Sequence, residues 1–359
     1  MQNNELGHLL IDMAAKHGFP LAGALDLDAG LGAMQPFINA YDEWLDAGMA
    51  GDMDYLKRDR NLRADPRAVF PDARGVVCVG LPYYTQGDNT PEPDSTSWAR
   101  YAKYLRGRDY HKVLRTRLDA MLAEASRFYP FEWQSYCDAG PVPERAWAYL
   151  AGLGWIGKNS ALIHPKFGSF LFLAVAYISK SPGGEPAPMR DQCGRCDKCL
   201  QACPTKALGK PRVIDARRCI SYWTLVKRGR LVLRDEDIAA LKNRIAGCDA
   251  CQDACPYNHQ PEMPASEFPC DPAADATRLR KWEELLAESG GAYKKRARDS
   301  ALSFVRPAHF RRNLAYALAS AIRSAPNEDF RRLLPLINHR MESETNDDIK
   351  SIWERCLKE

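Results

Sequence analysis

The stretch CGRCDKCLQACP, residues 193–204, places Cys193, Cys196, Cys199 and Cys203 at spacings of two, two and three residues and closes on Pro204. C-x2-C-x2-C-x3-C-P is the bacterial ligand run for a [4Fe–4S] cluster. Its short spacers let three thiolates wrap one face of a cubane, while the fourth, followed by proline, points to a neighbouring cluster. A partner run must therefore exist. CDACQDACP supplies Cys248, Cys251, Cys255 and Pro256, one ligand short, and Cys219 in RRCISYW lies between the two runs. The crossover rule assigns Cys193, Cys196, Cys199 and Cys255 to cluster one, and Cys203, Cys219, Cys248 and Cys251 to cluster two. Paired C-x2-C also binds zinc, but two x3-C-P endings and eight candidate thiolates speak for iron and sulfur. Cys270 reads as an ordinary thiol, Cys78 as core within an apolar strand, and Cys137 as a small buried residue.

Nine of the twelve cysteines fall between Cys193 and Cys270, a concentration that points to metal rather than a disulfide framework. At 359 residues the chain suggests two or three domains. Its net charge of +4 permits an anionic partner without requiring one. The start, MQNNELGHLLIDMAAKHG, is amphipathic at helical spacing and has no basic region leading into an apolar run, so no signal peptide is expected. No apolar stretch approaches the roughly 20 residues of a membrane span, and a cytoplasmic protein is the expectation.

Periodicity predicts a helix at 5–17, a strand at 20–28, an apolar strand at 75–84, a polar Pro-rich loop at 85–97 and a helix at 111–128. A strand in FEWQSYCD and a helix at 144–154 follow. Residues 160–179 read as two strands joined by a Pro/Gly turn. SPGGEPAPMRDQ (181–192) is a linker, the cysteine module follows, and a second Pro-rich joint precedes four helical segments that are HEAT-like in size. The fold class is α+β, with domains at 1–182, 183–265 and 266–359.

GLGWIGKN (152–159) overlays two nucleotide motifs, G-x-G-x-x-G and G-x-x-x-x-G-K. A dinucleotide fingerprint must follow a strand, open a helix and have an acid about 20 residues on. Here a helix precedes it, strands follow, residue 177 is Tyr, and Asn159 stands where a phosphate loop carries Ser or Thr. The glycines instead suit a tight turn and approach to something large and flat.

CDAGPVPERAWAYLAGLGWIGKNSALIHPKFGSF, then CGRCDKCLQACPTKAL, RCISYWTL and CDACQDACPYN, resemble the epoxyqueuosine reductases, cobalamin-dependent iron–sulfur enzymes of tRNA queuosine synthesis. The likeness runs in order through most of residues 1–265. It implies an N-terminal α/β cobalamin-binding domain, a two-cluster ferredoxin-like domain and a helical tail that helps hold tRNA. It also implies base-off cobalamin against Gly154, Gly157, Lys158, Asn159 and Ser160, with Phe167, Ser169 and Arg63 nearby. Ser221, Cys248 and Asp249 would face the cofactor from the cluster side. An external low-potential donor would pass electrons through cluster one and cluster two to cobalt, in a chain acting as a monomer.

The resemblance puts Asp138, in D-x-G-P, at the catalytic aspartate. Reducing an epoxide to an alkene consumes two electrons and two protons and releases water, so the departing oxygen needs an acid. Asp138 would serve near neutral pH if apolar surroundings, with Trp133 or Tyr136 among them, raised its pKa; the plain alternative is a turn residue capping backbone amides. Tyr101, Tyr104, Asp109, Tyr110 and His111 suit either a nucleoside entrance or a helix start with exposed aromatics. Arg217, Arg218, Lys227, Arg228, Arg230 and Arg234, then Lys294, Lys295, Arg296, Arg298, Arg306, Arg311 and Arg312, offer phosphate contacts for a tRNA anticodon arm, which the family places on tRNAs with a GUN anticodon. The rivals are a reductive dehalogenase of small organohalides and a non-catalytic ferredoxin-type electron carrier.

Overall fold

The computed structural model describes residues 5–84, 98–105, 107–259, 262, 279–324 and 328–357. The loop expected at 85–97, Cys270 and most of the second Pro-rich joint lie outside the described residues.

The principal sheet has the order β1 (Leu21–Asp26), β2 (Gly75–Pro82), β7 (Leu171–Ile178), β4 (Trp133–Tyr136), every pair antiparallel. Strand β2 reads GVVCVGLP with no polar alternation and is buried throughout, as a strand covered on both faces must be. Val77, Val79 and Leu81 pack on one face with the helices Glu5–Lys16 and Tyr110–Ala125. Val76 and Cys78 pack on the other with the helices Leu27–Asp46 and Glu144–Leu150, around the fully buried Trp147. Helix, sheet and helix thus form three layers. Cys78 is core, and burial pushes its thiol well up.

The two strands expected at 160–179 exist but do not pair. β6 (Leu162–Ile163) turns back onto β5 (Trp155–Ile156), while β7 joins the principal sheet. The intervening turn passes Gly168 at φ +66°, where a Cβ would lie 2.1 Å from Asn258 Oδ1. The turn closes through an antiparallel bridge between His164 and Gly168, and its tip is pressed against the cysteine module.

A second sheet, β8 (Arg244–Ala246), β3 (Trp98–Tyr101) and β9 (Leu279–Lys281), has β3 parallel to β8 and antiparallel to β9. Its strands come one each from the segments 1–182, 183–265 and 266–359. Trp282, Tyr293, Phe310 and Trp353 of the C-terminal helical region belong to the same hydrophobic cluster as Tyr101, Trp223 and Ile245. Arg312, on the helix Pro307–Ser324, is buried and donates to the backbone oxygens of Trp223 (2.8 Å), Lys227 (3.1 Å) and Gly229 (3.0 Å). Among the described residues no helix is long and apolar enough to cross a membrane.

Candidate active site

The eight cysteines fall into two groups of four. Cys193, Cys196, Cys199 and Cys255 line one cavity together with Lys158, Asn159 and Tyr257. Cys203, Cys219 and Cys251 pack together, and Cys248, Cys219 and Cys203 add their repulsion to the burial that drives the Cys251 thiol far up. Burial likewise pushes Cys248 and Cys255 up to about 11. Thiolates crowded this way are costly without a cationic partner, and an iron–sulfur core supplies one. Packing between the short helices Lys198–Ala202 and Ala250–Asp253 brings the two runs together.

GLGWIGKN joins these groups to the rest of the chain. Its backbone leaves the helix Glu144–Leu150 and forms β5. A Cβ at Gly154 would lie 2.3 Å from Ile163 O, and one at Gly157 would lie 2.4 Å from Ile163 Cδ1. Glycine is therefore already demanded by the β5–β6 pairing. Lys158 Nζ donates to Gly194 O (2.7 Å) and Asn159 Nδ2 to Cys251 O (3.5 Å), so this turn touches both cysteine groups. Ser169 is fully engaged by the module: its N–H donates to Asn258 Oδ1 (2.7 Å), and its hydroxyl meets Gln252 Oε1 (3.0 Å) and Asn258 Nδ2 (2.8 Å).

Asp138 follows β4 with φ +48°, a left-handed conformation that costs a non-glycine residue about 1 kcal/mol or more and gathers at functional sites. Its side chain is 68% accessible, yet desolvation is the largest influence on its carboxyl. Together these describe an open recess with dense walls. Tyr110 donates to Asp138 Oδ2 (2.6 Å), and His111 Nε2 lies 3.6 Å from the same oxygen. Desolvation raises the Asp138 pKa, but hydrogen bonds from His111 and Tyr110 outweigh it, and the net shift is downward. This corrects the expectation of a raised carboxyl: the neighbours are donors, not an apolar wall. Trp133 is occupied elsewhere, its indole donating to Asp119 (3.0 Å).

The raised carboxyl is Glu144, pushed up to about 7 by burial and then by the charge of Asp138. Its Oε1 is buried without a partner, as are Arg63 Nε, Tyr136 Oη and Ser160 Oγ. Exposed Tyr55 feels Arg63, Asp138 and Arg228, which places all three on one recess. Toward the cysteines stands Tyr104, whose hydroxyl is held up by burial and then by the charges of Asp249, Asp138 and Cys219; Ser221 hydrogen-bonds it. Asp249 is buried and accepts from Lys103 N (2.8 Å). Lys103 is itself buried, pairs with Asp253, and lies 4.7 Å from the Phe170 ring centroid. Neither this buried lysine nor Glu144 stands out in the sequence pattern, because burial and the nearness of Asp138 come only with the fold.

Of the basic residues, Arg296 pairs with Glu288 (2.7 Å) and Arg311 with Glu344 (2.8 Å). Arg217, Lys227, Arg230 and Arg234 pair with Asp215, Asp52, Asp348 and Glu236. Arg218, Arg228, Lys294, Lys295, Arg298 and Arg306 are exposed and make no ion pair among the described residues. Phe304, 64% exposed, leans on His111 with ring centroids 4.9 Å apart.

Residues 192–258 match the family described as a 4Fe-4S double cluster binding domain, and residues 63–139 match the family described as Epoxyqueuosine reductase QueG, DUF1730. The epoxyqueuosine reductase of Synechococcus sp. (strain CC9605) is 38% identical over 323 residues, 88% of this chain and 95% of that protein. That of Pseudomonas aeruginosa is 34% identical over 331 residues, 89% of this chain and 87% of that protein. A solved epoxyqueuosine reductase bound to an epoxyqueuosine-modified tRNA-Tyr stem loop superposes with a TM-score of 0.80 at 26% identity, covering 99% of both chains. A Bacillus subtilis epoxyqueuosine reductase with its catalytic aspartate loop swung out of the active site gives 0.78 at 26% identity, again with 99% of both chains covered. With relatives above 30% identity along most of its length, and with the cysteine groups and the aspartate loop in place, the chain belongs to the epoxyqueuosine reductase family.

Proposed function

We propose that this chain reduces epoxyqueuosine to queuosine in tRNA. The observation that carries the reading is Asp138: a carboxyl in a left-handed loop, facing an open recess, with Tyr104 between it and the second cysteine group. Two [4Fe–4S] clusters, one on Cys193, Cys196, Cys199 and Cys255 and one on Cys203, Cys219, Cys248 and Cys251, would carry electrons inward. The loop of the first group is open, with nothing within 4 Å of a Cβ built at Gly194, whereas Cys251 is the most strongly desolvated of the second. That gradient supports donor docking at the first group.

The unpartnered polar atoms of Arg63, Tyr136, Glu144 and Ser160 around the recess suit the many amides of a corrin. Arg63 and Ser160 would hold base-off cobalamin, with Ser221 and Asp249 facing it from the cluster side; bound there, it supplies a low-valent cobalt able to reduce the epoxide. Gly154, Gly157, Lys158, Asn159 and Ser169 would act indirectly, fixing the turn that separates this recess from the clusters. The chain's own contribution to chemistry is the proton: Asp138, which rests ionised beside Tyr110 and His111, would take up a proton and pass it to the departing oxygen. The exposed cations and Phe304 would meet tRNA phosphates and a splayed base. Domains at 1–182, 183–265 and 266–359 remain our division by role, although one sheet links them.

The test is nucleoside mass spectrometry on epoxyqueuosine-containing tRNA, incubated anaerobically with cluster-loaded protein, cobalamin and a strong reductant. Loss of one oxygen only when cobalamin is present supports the reading. Unchanged nucleoside, with clusters and cobalamin shown to be bound, rejects it in favour of an organohalide reductase, and failure to bind cobalamin at all would favour an electron carrier.

A further inference from the structure

We propose that His111 is the proton reservoir of this site: its imidazolium, held at Nδ1 by Asp109, re-protonates Asp138 through Nε2, so that one carboxyl delivers both protons the reaction consumes. The inference rests on the epoxide reduction proposed above, and the stoichiometry requires something of the kind. One C–O bond breaks as the oxygen takes a first proton and becomes a hydroxyl. The second breaks as that hydroxyl takes another proton and leaves as water, while two electrons from the external low-potential donor complete the C=C bond. Asp138 rests ionised because its neighbours lower its pKa, so it must be loaded before each of the two events, and the group that loads it must regain one proton from solvent between them.

The surroundings name the source. The Asp138 carboxylate is hydrogen-bonded by His111 and Tyr110 and feels the charge of Arg145, whereas Glu144 is coupled to Asp138 through charge alone. Arginine does not give up a proton in a protein. The Tyr110 phenol is held far above its ordinary range by burial and by Asp138 itself, so it stays a hydrogen-bond donor and does not become an acid. His111 remains. It sits in the first turn of the helix Tyr110–Ala125, whose cap is Asp109, and Asp109 Oδ1 lies 2.8 Å from His111 Nδ1. Asp109 is fixed in turn: it is buried, and its N–H donates to Asp299 O (2.7 Å). A carboxylate on one ring nitrogen orients the imidazole and stabilises its charged form, leaving Nε2 turned to Asp138 at 3.6 Å. The ring is clamped by Tyr110, with centroids 4.0 Å apart, and by Phe304 at 4.9 Å. Lys112 lies 3.8 Å from Asp109, and beyond Asp138 stand Glu144 and Arg145. Burial alone would lower the His111 pKa, but the two carboxylates outweigh it and the net direction is up.

The experiment compares cluster- and cobalamin-loaded wild type, His111→Gln and Asp109→Asn. It reads single-turnover conversion of epoxyqueuosine tRNA from pH 5.5 to 9, and the titration of ¹³C-labelled histidine by NMR. The wild-type rate should fall on the alkaline side as His111 loses its proton, and the His111 resonance should titrate above the ordinary histidine pKa of about 6.5. His111→Gln should slow turnover about 100-fold, flatten the alkaline limb and regain rate when imidazole is added, with tRNA affinity retained. Asp109→Asn should move both the limb and the resonance to lower pH. Should His111→Gln lose its clusters, Asp109→Asn carries the test through the same two shifts. Wild-type turnover with an unaltered rate and pH profile in His111→Gln, or an unmoved limb in Asp109→Asn, overturns the inference alone. No turnover by wild type overturns the reaction reading, and this inference with it.

Discussion

Replacing Glu144 with Gln should make the protein more stable above neutral pH while leaving it unchanged in acid. Glu144 opens the helix Glu144–Leu150 with a buried, unpartnered Oε1, and its carboxyl is pushed from 4.5 up to about 7, first by burial and then by the charge of Asp138. Its pKa is raised on folding, so the folded chain binds the proton more tightly than the unfolded one. Stability is therefore lost as pH climbs from 4.5 through 7 and does not return above it. At about 1.4 kcal/mol per pKa unit, the rise of about 2.5 sets a ceiling near 3.4 kcal/mol. The side chain is only partly buried, and Arg145 and Arg63 lean against the shift, so roughly half of that, about 1.5 kcal/mol, is the expected penalty. Glutamine keeps the shape and never ionises. Urea midpoints for cluster-loaded wild type and Glu144→Gln, taken anaerobically between pH 4.5 and 8.5, should coincide at the acid end and separate in favour of the variant through pH 7. A gap that stays constant across that range would refute the assignment of a strained buried carboxyl.

Asp138→Asn should keep full iron content and tRNA affinity but lose turnover by about 10²- to 10⁴-fold, measured by nucleoside mass spectrometry; near-wild-type turnover would remove Asp138 from the chemistry. Cys255→Ser should lose the first cluster and Cys203→Ser the second, each dropping iron from about eight to about four atoms per chain, with electron paramagnetic resonance showing which signal survives. If Cys255→Ser instead spared the cluster on Cys193, Cys196 and Cys199, the crossed ligand sets would be wrong. Binding of tRNA should weaken steeply with salt, and Arg228→Ala with Arg306→Ala should lower the slope of log affinity against log salt by about two; an unchanged slope would place the phosphates elsewhere.

What could be read in advance was local. The ligand runs announce themselves because a cubane fixes the spacing of thiols a few residues apart, and each run closes on a proline, Pro204 or Pro256. Helices such as Tyr110–Ala125 show their period over many turns. Strands of three residues, like Arg244–Ala246 and Leu279–Lys281, show none, which is why the sheet that ties the three parts of the chain together was invisible. Asp138 was legible as a position and as a candidate acid, but the direction of its pKa shift was not. Its pKa is decided by Tyr110 and His111, more than 25 residues earlier in the chain, and these come within reach only because β4 and the helix Tyr110–Ala125 pack side by side. The same holds for charge. Arg312 and Arg296 count toward a basic tail in the sequence, yet the first is consumed by three backbone carbonyls and the second by Glu288. Composition records how many cations a chain carries, whereas only packing decides which are already spent on the fold. The six that are exposed and make no ion pair among the described residues are the ones on which a tRNA interface can be built, whereas Arg312, donating to the backbone oxygens of Trp223, Lys227 and Gly229, ties the helical region to the segment before it.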